Sequence, residues 1–217
     1  MLNLPQSTEY NKLAPKKKFY EHLAISSDLK KVFVEQIKSI RWRNIIAPRS
    51  VNLEAGKEVT EIHVFEVQLN EKNLNEDALR IIDQGIPYHI VFVLHYGDEI
   101  QIWTAYKEAT PQGVYKVRRY FHTDWILEDQ FSFELKGINL DQVYENLVRS
   151  IAGDELDTNP EETLQQSIEK AELINKLDAK INKLQTKMRK EKQFNKKVKF
   201  NDEIKALKVE LSKIQNG

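Results

Sequence analysis

Apolar positions repeat with period two in some stretches of the chain and at three-and-four spacing in others. The period-two signal is strongest over Val59–Lys107, where β-branched and aromatic residues are densest, as a buried sheet demands. Val59–Leu69 reads as an interior strand. Phe65, Val67 and Leu69 share one face, while Ile62, Val64, Glu66 and Gln68 share the other. Asn75 stands where a helix cap is expected, with Glu76 and Asp77 in a first turn that favours anions. Leu74 and Leu79 have the spacing of a hydrophobic staple, and Gly85 and Pro87 end the helix. Tyr88–Tyr96 and Glu99–Lys107 flank Gly97-Asp98, a loop suited to a primed hairpin turn. That register sets Phe92 opposite Trp103 and Val93 opposite Ile102.

Upstream, residues 1–20 read as an extended arm strapped over the domain, because Pro5 and Pro15 disfavour helix. Its Lys16-Lys17-Lys18 is either solvated or part of a nucleic-acid arm. Ser27 is expected to cap a helix running to about Trp42. Leu29, Val32, Phe33, Ile37 and Ile40 would form its stripe, with Arg41 and Arg43 near its C-terminus. Residues 44–58 read as irregular, with a turn at Gly56-Lys57. Downstream, Pro111-Gln112-Gly113 predicts a turn into a strand over Val114–Phe121. Phe131, Phe133 and Leu135 alternate as a further strand at an edge. Asn139 is expected to cap a helix to about Ile151, with Leu140, Val143, Tyr144, Leu147 and Ile151 inward, stopped by Gly153.

From Glu161 the period changes. Ile174, Leu177, Ile181, Leu184 and Met188 alternate by three and four, and so do Phe200, Ile204, Leu207, Leu211 and Ile214. The two runs are out of phase: extending the first puts Glu191, Asn195, Val198, Asp202 and Lys205 on the seam. Two helices of about 43 and 30 Å, broken between Lys190 and Lys197, satisfy both runs. The fold expected is therefore α+β. Residues 1–152 form a mixed sheet with a hairpin and flanking helices, 153–160 a linker, and 161–217 a coiled-coil helical hairpin. The apolar seam must pack on itself, on a second copy to give a homodimer, or on a partner.

Composition narrows the classes. Cysteine is absent, which excludes disulfides and thiolate metal sites and suits a reducing cytoplasm. No apolar run reaches membrane-spanning length and no signal-peptide pattern opens the chain, so a soluble cytoplasmic protein is expected. The 33 basic and 33 acidic residues balance overall but not locally. Lys12–Arg49 has ten basic against three acidic residues, Ser50–Asn159 nine against twenty, and Lys176–Lys199 ten against two.

Candidate chemistry is sparse. Glu66 and Gln68 point the same way on one strand, as do the residues of a Glu-x-Lys metal-nuclease strand, but glutamine replaces the lysine. Glu61 and Asp83 are the nearest further acids by sequence, so a divergent metal-dependent nuclease using Mg2+ would draw on Glu66 and Gln68 with Glu61 or Asp83. Otherwise they are polar residues at a packed boundary, and no metal or other cofactor is expected. His22, His63, His89, His95 and His122 lack zinc spacing, and His122 beside Asp124 has no nucleophile nearby. Trp42, Trp103 and Trp125 read as core or rim aromatics. No glycine-rich phosphate loop occurs. Lys183, Lys187, Arg189, Lys190, Lys192, Lys196, Lys197 and Lys199 surround the proposed hairpin tip. They are either a solvated coiled-coil face or a finger for nucleic-acid phosphates or an acidic protein.

Several short stretches carry a family resemblance: Leu4–Thr8, Pro15–Tyr20, Ile86-Pro87-Tyr88, Tyr106-Lys107-Glu108, Phe121–Trp125 and Glu191-Lys192-Gln193-Phe194-Asn195. Together they make the chain similar, over nearly its full length, to a bacterial and archaeal family, domain-of-unknown-function family 4391. The resemblance implies companionship with superfamily-2 helicases and DNA methyltransferases in restriction-like antiphage gene neighbourhoods, and no catalytic residues. The expectation is an accessory, non-enzymatic interaction subunit of a complex that contains a helicase, with the hairpin as docking element and the sheet domain and basic tip contacting the partner, DNA or both. The alternatives are the nuclease and a self-assembling coiled-coil scaffold.

Overall fold

The computed structural model describes residues 2–21, 25–110, 115–156 and 162–216, and the chain divides into two units, Met1–Gly153 and Asp154–Gly217. The first unit is built on a mixed sheet of β1 (Glu9–Ala14), β2 (Ile37–Ile46), β3 (Ile62–Leu69), β4 (His89–Tyr96), β5 (Glu99–Ala109), β6 (Tyr115–His122) and β7 (Ile126–Leu127). Its helices are α1 (Lys17–Tyr20), α2 (Ser27–Glu35), α3 (Glu76–Gln84) and α4 (Leu140–Ala152). The strands lie in the order β1-β2-β3-β4-β5-β6, and β7 pairs with β5. Every pair is antiparallel except β3 and β4, which are parallel and joined through α3.

The central stretch folds as its pattern predicts. β3 is interior, between β2 and β4. The Asn75 side chain accepts from the Asp77 amide at 2.9 Å, and Gly85 caps the C-terminus of α3. The hairpin turns at Gly97, whose φ of +59° is the left-handed conformation that glycine adopts without cost. Phe92 pairs with Trp103 and Val93 with Ile102.

The long helix expected from Ser27 to Trp42 is corrected. Ser26 caps α2, accepting from the Leu29 amide at 3.1 Å, and the helix stops at Glu35. Ile37–Ile46 is instead a strand held between β1 and β3, so part of the irregular 44–58 connection is strand as well. Its register slips between Ile37 and Ser39 and again between Trp42 and Asn44. Each slip adds a residue, so inward positions such as Ile37 and Ile40 fall three apart and imitate a helical stripe. Arg41 donates to the Asn11 carboxamide oxygen at 3.0 Å, tying down β1 rather than capping a helix. The expected arm thus contains the edge strand β1 and the helical turn α1, with Lys16 donating to the Ile37 carbonyl at 2.5 Å.

The strand expected at Phe131–Leu135 is also absent. A short 3-10 turn covers Glu128–Gln130, and the Phe133 amide makes one bond to the Leu2 carbonyl, 3.2 Å, where a ladder needs a series. The turn read at Pro111-Gln112-Gly113, His22, residues 157–160 of the expected linker and residue 161 of the expected hairpin lie outside the described residues.

Two layers cover the sheet. Phe33 and Ile37 join Ala78, Leu79 and Ile82 of α3 in burying Ile40, Phe65, Val67, Phe92 and Leu94. On the other face, the Tyr144 hydroxyl of α4 donates to the Ala105 carbonyl at 2.7 Å and meets Thr104 Oγ1 at 2.9 Å. Asn139 caps α4, and Gly153 ends it at φ +53°. Asp141 in the first turn accepts from the amides of Lys57, Glu58 and Val59 at 2.7, 3.1 and 2.7 Å. Gly56 is required there, since a Cβ would stand 2.0 Å from the Asp141 carboxylate.

The second unit is a helical pair, α5 (Leu164–Lys190) and α6 (Phe194–Asn216), about 40 and 35 Å long. Thr163 and Gln166 form a capping box at the start of α5. The two heptad runs bury each other: Leu177, Ile181 and Leu184 against Ile204 and Leu207, extended by Met188, Phe200, Leu211 and Ile214. The chain turns at 191–193, inside the interval where the phase breaks.

Candidate functional site

The turn between α5 and α6 concentrates charge. Residues 183–199 contain eight basic side chains and one acidic, Glu191. Lys183, Lys187, Arg189, Lys190, Lys192, Lys196, Lys197 and Lys199 are all exposed, and none has a carboxylate partner among the described residues. Packing explains this: the seam takes the heptad residues of both helices, so the lysines between them face solvent. Glu191 does not neutralise them. Its carboxylate accepts from the amides of Gln193 and Lys192 at 2.9 and 2.8 Å, bracing the turn. Those hydrogen bonds, with Lys196 and Lys197 nearby, hold its carboxyl below the usual range. The result is a braced turn that presents several cations together.

The four residues of the nuclease reading are not brought together. Glu66 and Gln68 share the face of β3 that carries Val64, whereas Asp83 lies in α3 on the opposite face. Glu66 is held by Arg43 at 3.3 Å and stands 3.8 Å from His95. Gln68 is exposed. Glu61 pairs with Arg49 at 2.5 Å and with His63 at 2.9 Å. Arg49 and His63 hold the Glu61 carboxyl down against the opposing effect of its burial. Among the described residues, no three His, Asp or Glu side chains converge as a metal site requires.

Asp83 has a different role, which the sequence did not signal. Its side chain and that of Lys107 are 1% and 3% exposed, with Lys107 Nζ 2.7 Å from Asp83 Oδ1. That contact is a close ion pair inside the fold. Tyr120 donates its hydroxyl proton to the other carboxylate oxygen, and Lys107 donates to the Tyr88 carbonyl at 2.7 Å. The Arg80 guanidinium lies 5.4 Å from the centre of the Tyr120 ring. Burial raises the Asp83 carboxyl despite Lys107, and burial raises the Tyr120 hydroxyl too. Asp83 and Lys107 border a cleft of about 640 Å³ that Arg80, Tyr115 and Lys116 also line. The network's charges answer one another, which ties α3 to β5 and β6.

The four described histidines all lie against aromatic rings or ion partners, and His122 is exposed. His63 stacks between Trp42 and Tyr88, at 4.8 and 4.4 Å between ring centres. His89 lies between Tyr115 and Tyr144, and burial lowers it to about 3. His95 is lowered by burial as well. His122 stacks on Trp103 and meets Gln101 Nε2 at 3.2 Å. None of the helices among the described residues is long and apolar enough to cross a membrane.

Neither a curated protein nor a solved structure matches the chain. The model of one family, Domain of unknown function (DUF4391), matches residues 2–211 of the 217. That match takes in both the sheet unit and nearly all of the helical hairpin, and the chain belongs to the DUF4391 family.

Proposed function

We propose that the protein is a non-catalytic accessory subunit that grips nucleic-acid phosphates with the tip of its C-terminal hairpin. The setting is a cytoplasmic, restriction-like antiphage complex containing a helicase and a DNA methyltransferase. The observation that carries the reading is the set of eight exposed basic side chains on the turn and the adjoining ends of α5 and α6, with no carboxylate partner among the described residues. Cations grouped on a turn attract a polyanion more strongly than the same charges scattered over a surface. The seam supports the reading indirectly. It is buried within the pair, so these helices do not need a second copy to cover it.

The test is charge neutralisation. Replacing Lys190, Lys192, Lys196 and Lys197 by glutamine should weaken DNA binding at low salt at least about tenfold, with unchanged helical ellipticity. The slope of log affinity against log salt should shrink by about 3, since each phosphate contact contributes about 0.7–0.9. Unchanged affinity for both DNA and the helicase would leave these lysines as a solvated helix face.

A further inference from the structure

We infer that the hairpin tip is a site for single-stranded nucleic acid, in which Phe194 is the platform for an unpaired base. This rests on the polyanion reading above and adds the class of ligand. Phe194 opens α6 and is 76% exposed, one of the two most exposed large hydrophobic side chains among the described residues. It follows directly on the lysine-rich turn, and Val198, one helical turn further along, is 41% exposed on the same side of the helix. Beside them lies a shallow depression of about 350 Å³ lined by Met188, Arg189, Lys197, Val198 and Asn201. An apolar floor, two cations and one carboxamide are the elements that take a base, its phosphate and one polar edge.

The turn holds Phe194 in place. The amides of Lys196 and Lys197 both donate to the Gln193 carbonyl at 3.1 Å, so the first turn of α6 is formed up to the tip. With Glu191 bracing the other side, the ring is presented from a fixed backbone. A phenyl ring has no hydrogen-bonding group and cannot read a duplex groove, whereas an unpaired base offers it a flat π-face beside a charged backbone. A stable protein partner needs a contact of about 800 Å² per side with an apolar centre. Phe194, Val198 and part of Met188 are too small a patch for that, and they suit one or two nucleotides.

The test uses the full chain and three fluorescein-labelled probes: a 15-nucleotide oligothymidylate, a duplex with the same number of phosphates, and polyglutamate. Single strand should bind more tightly than duplex. Phe194→Ala should weaken single-strand binding about tenfold and leave duplex binding within about twofold. Phe194→Trp should retain binding, with its indole emission quenched by the oligonucleotide. If Phe194→Ala binds the single strand as the wild type does, the inference fails. The polyanion reading would then survive provided the four-lysine variant still loses binding. Polyglutamate binding that falls with Phe194→Ala as much as oligonucleotide binding overturns the inference in favour of an acidic protein. If neither the Phe194 variants nor the lysine variant alters any binding, both readings fall.

Discussion

In the sheet unit a few ionisable groups sit inside. Lys107 and Asp83 pair where almost no water reaches, His89 is neutral between two tyrosine rings, and Glu66 is held by Arg43. In the hairpin unit the seam is built from apolar residues, and the basic side chains of the tip are exposed, with no ion pair to a carboxylate among the described residues. A buried charge must be answered locally or the fold loses several kcal/mol, so these buried groups are bound up with the sheet's architecture. Exposed like charges along a helix cost only a few tenths of a kcal/mol each and add nothing to packing. The molecule thus separates the charges its fold needs from those it does not. The second kind is where a function for charge is to be sought.

The largest effect should come from opening the buried pair. Lys107→Met leaves Asp83 uncompensated and should cost about 3–5 kcal/mol, read from urea unfolding. Asp83→Leu combined with Lys107→Met should recover much of that loss. A single-variant cost below about 1 kcal/mol would show that water reaches the pair and erase the contrast between the units. Next, Ile204→Ala should destabilise the hairpin by about 2–4 kcal/mol. All three tryptophans lie in the sheet unit, so their fluorescence transition should stay in place while helical ellipticity melts earlier. A matching shift in fluorescence would mean that the units unfold together.

A smaller, pH-dependent effect follows from His89. Burial holds it near 3, below its ordinary 6.5, so between those values the unfolded chain binds a proton there and the native chain does not. Its contribution is complete above about pH 6.5 and is lost as pH falls toward 3, at about 1.4 kcal/mol per pH unit. His63 and His95, also lowered by burial, act in the same direction. Asp83, raised by burial, acts in the opposite one. His89→Phe should therefore flatten the acid limb by one proton's slope, and an unaltered limb would place His89 in contact with water. Last comes an expected null. With Mg2+ or Mn2+ the protein should leave DNA and RNA intact. Cleavage abolished by Glu66→Ala and kept in Glu54→Ala would move the chemistry into the sheet unit and invert the comparison.

Features encoded by near neighbours were legible in the residues themselves. The Gly97-Asp98 turn set the register of β4 and β5, Asn75 and Asn139 marked helix starts, and the phase break at Lys190–Lys197 bracketed the turn between α5 and α6. Each of these depends on spacing within about a dozen residues, the range over which turn geometry, capping and helical period act. The basic tip was legible for the same reason, since charge along the chain is charge in space wherever the chain doubles back.

What the tertiary structure alone decided depended on distant partners. Ile37–Ile46 became a strand because β1 and β3 supply hydrogen bonds on both of its sides, and its bulges disguised the alternation. Asp83 met Lys107 only because β3 and β4 run parallel, so that α3 crosses back over the sheet. The same crossover set Asp83 and Glu66 on opposite faces and dispersed the acids that had looked like a set. Phe194 could be seen to fall at the break between the helices. Whether it was buried was decided when the two seams closed on each other and left it outside.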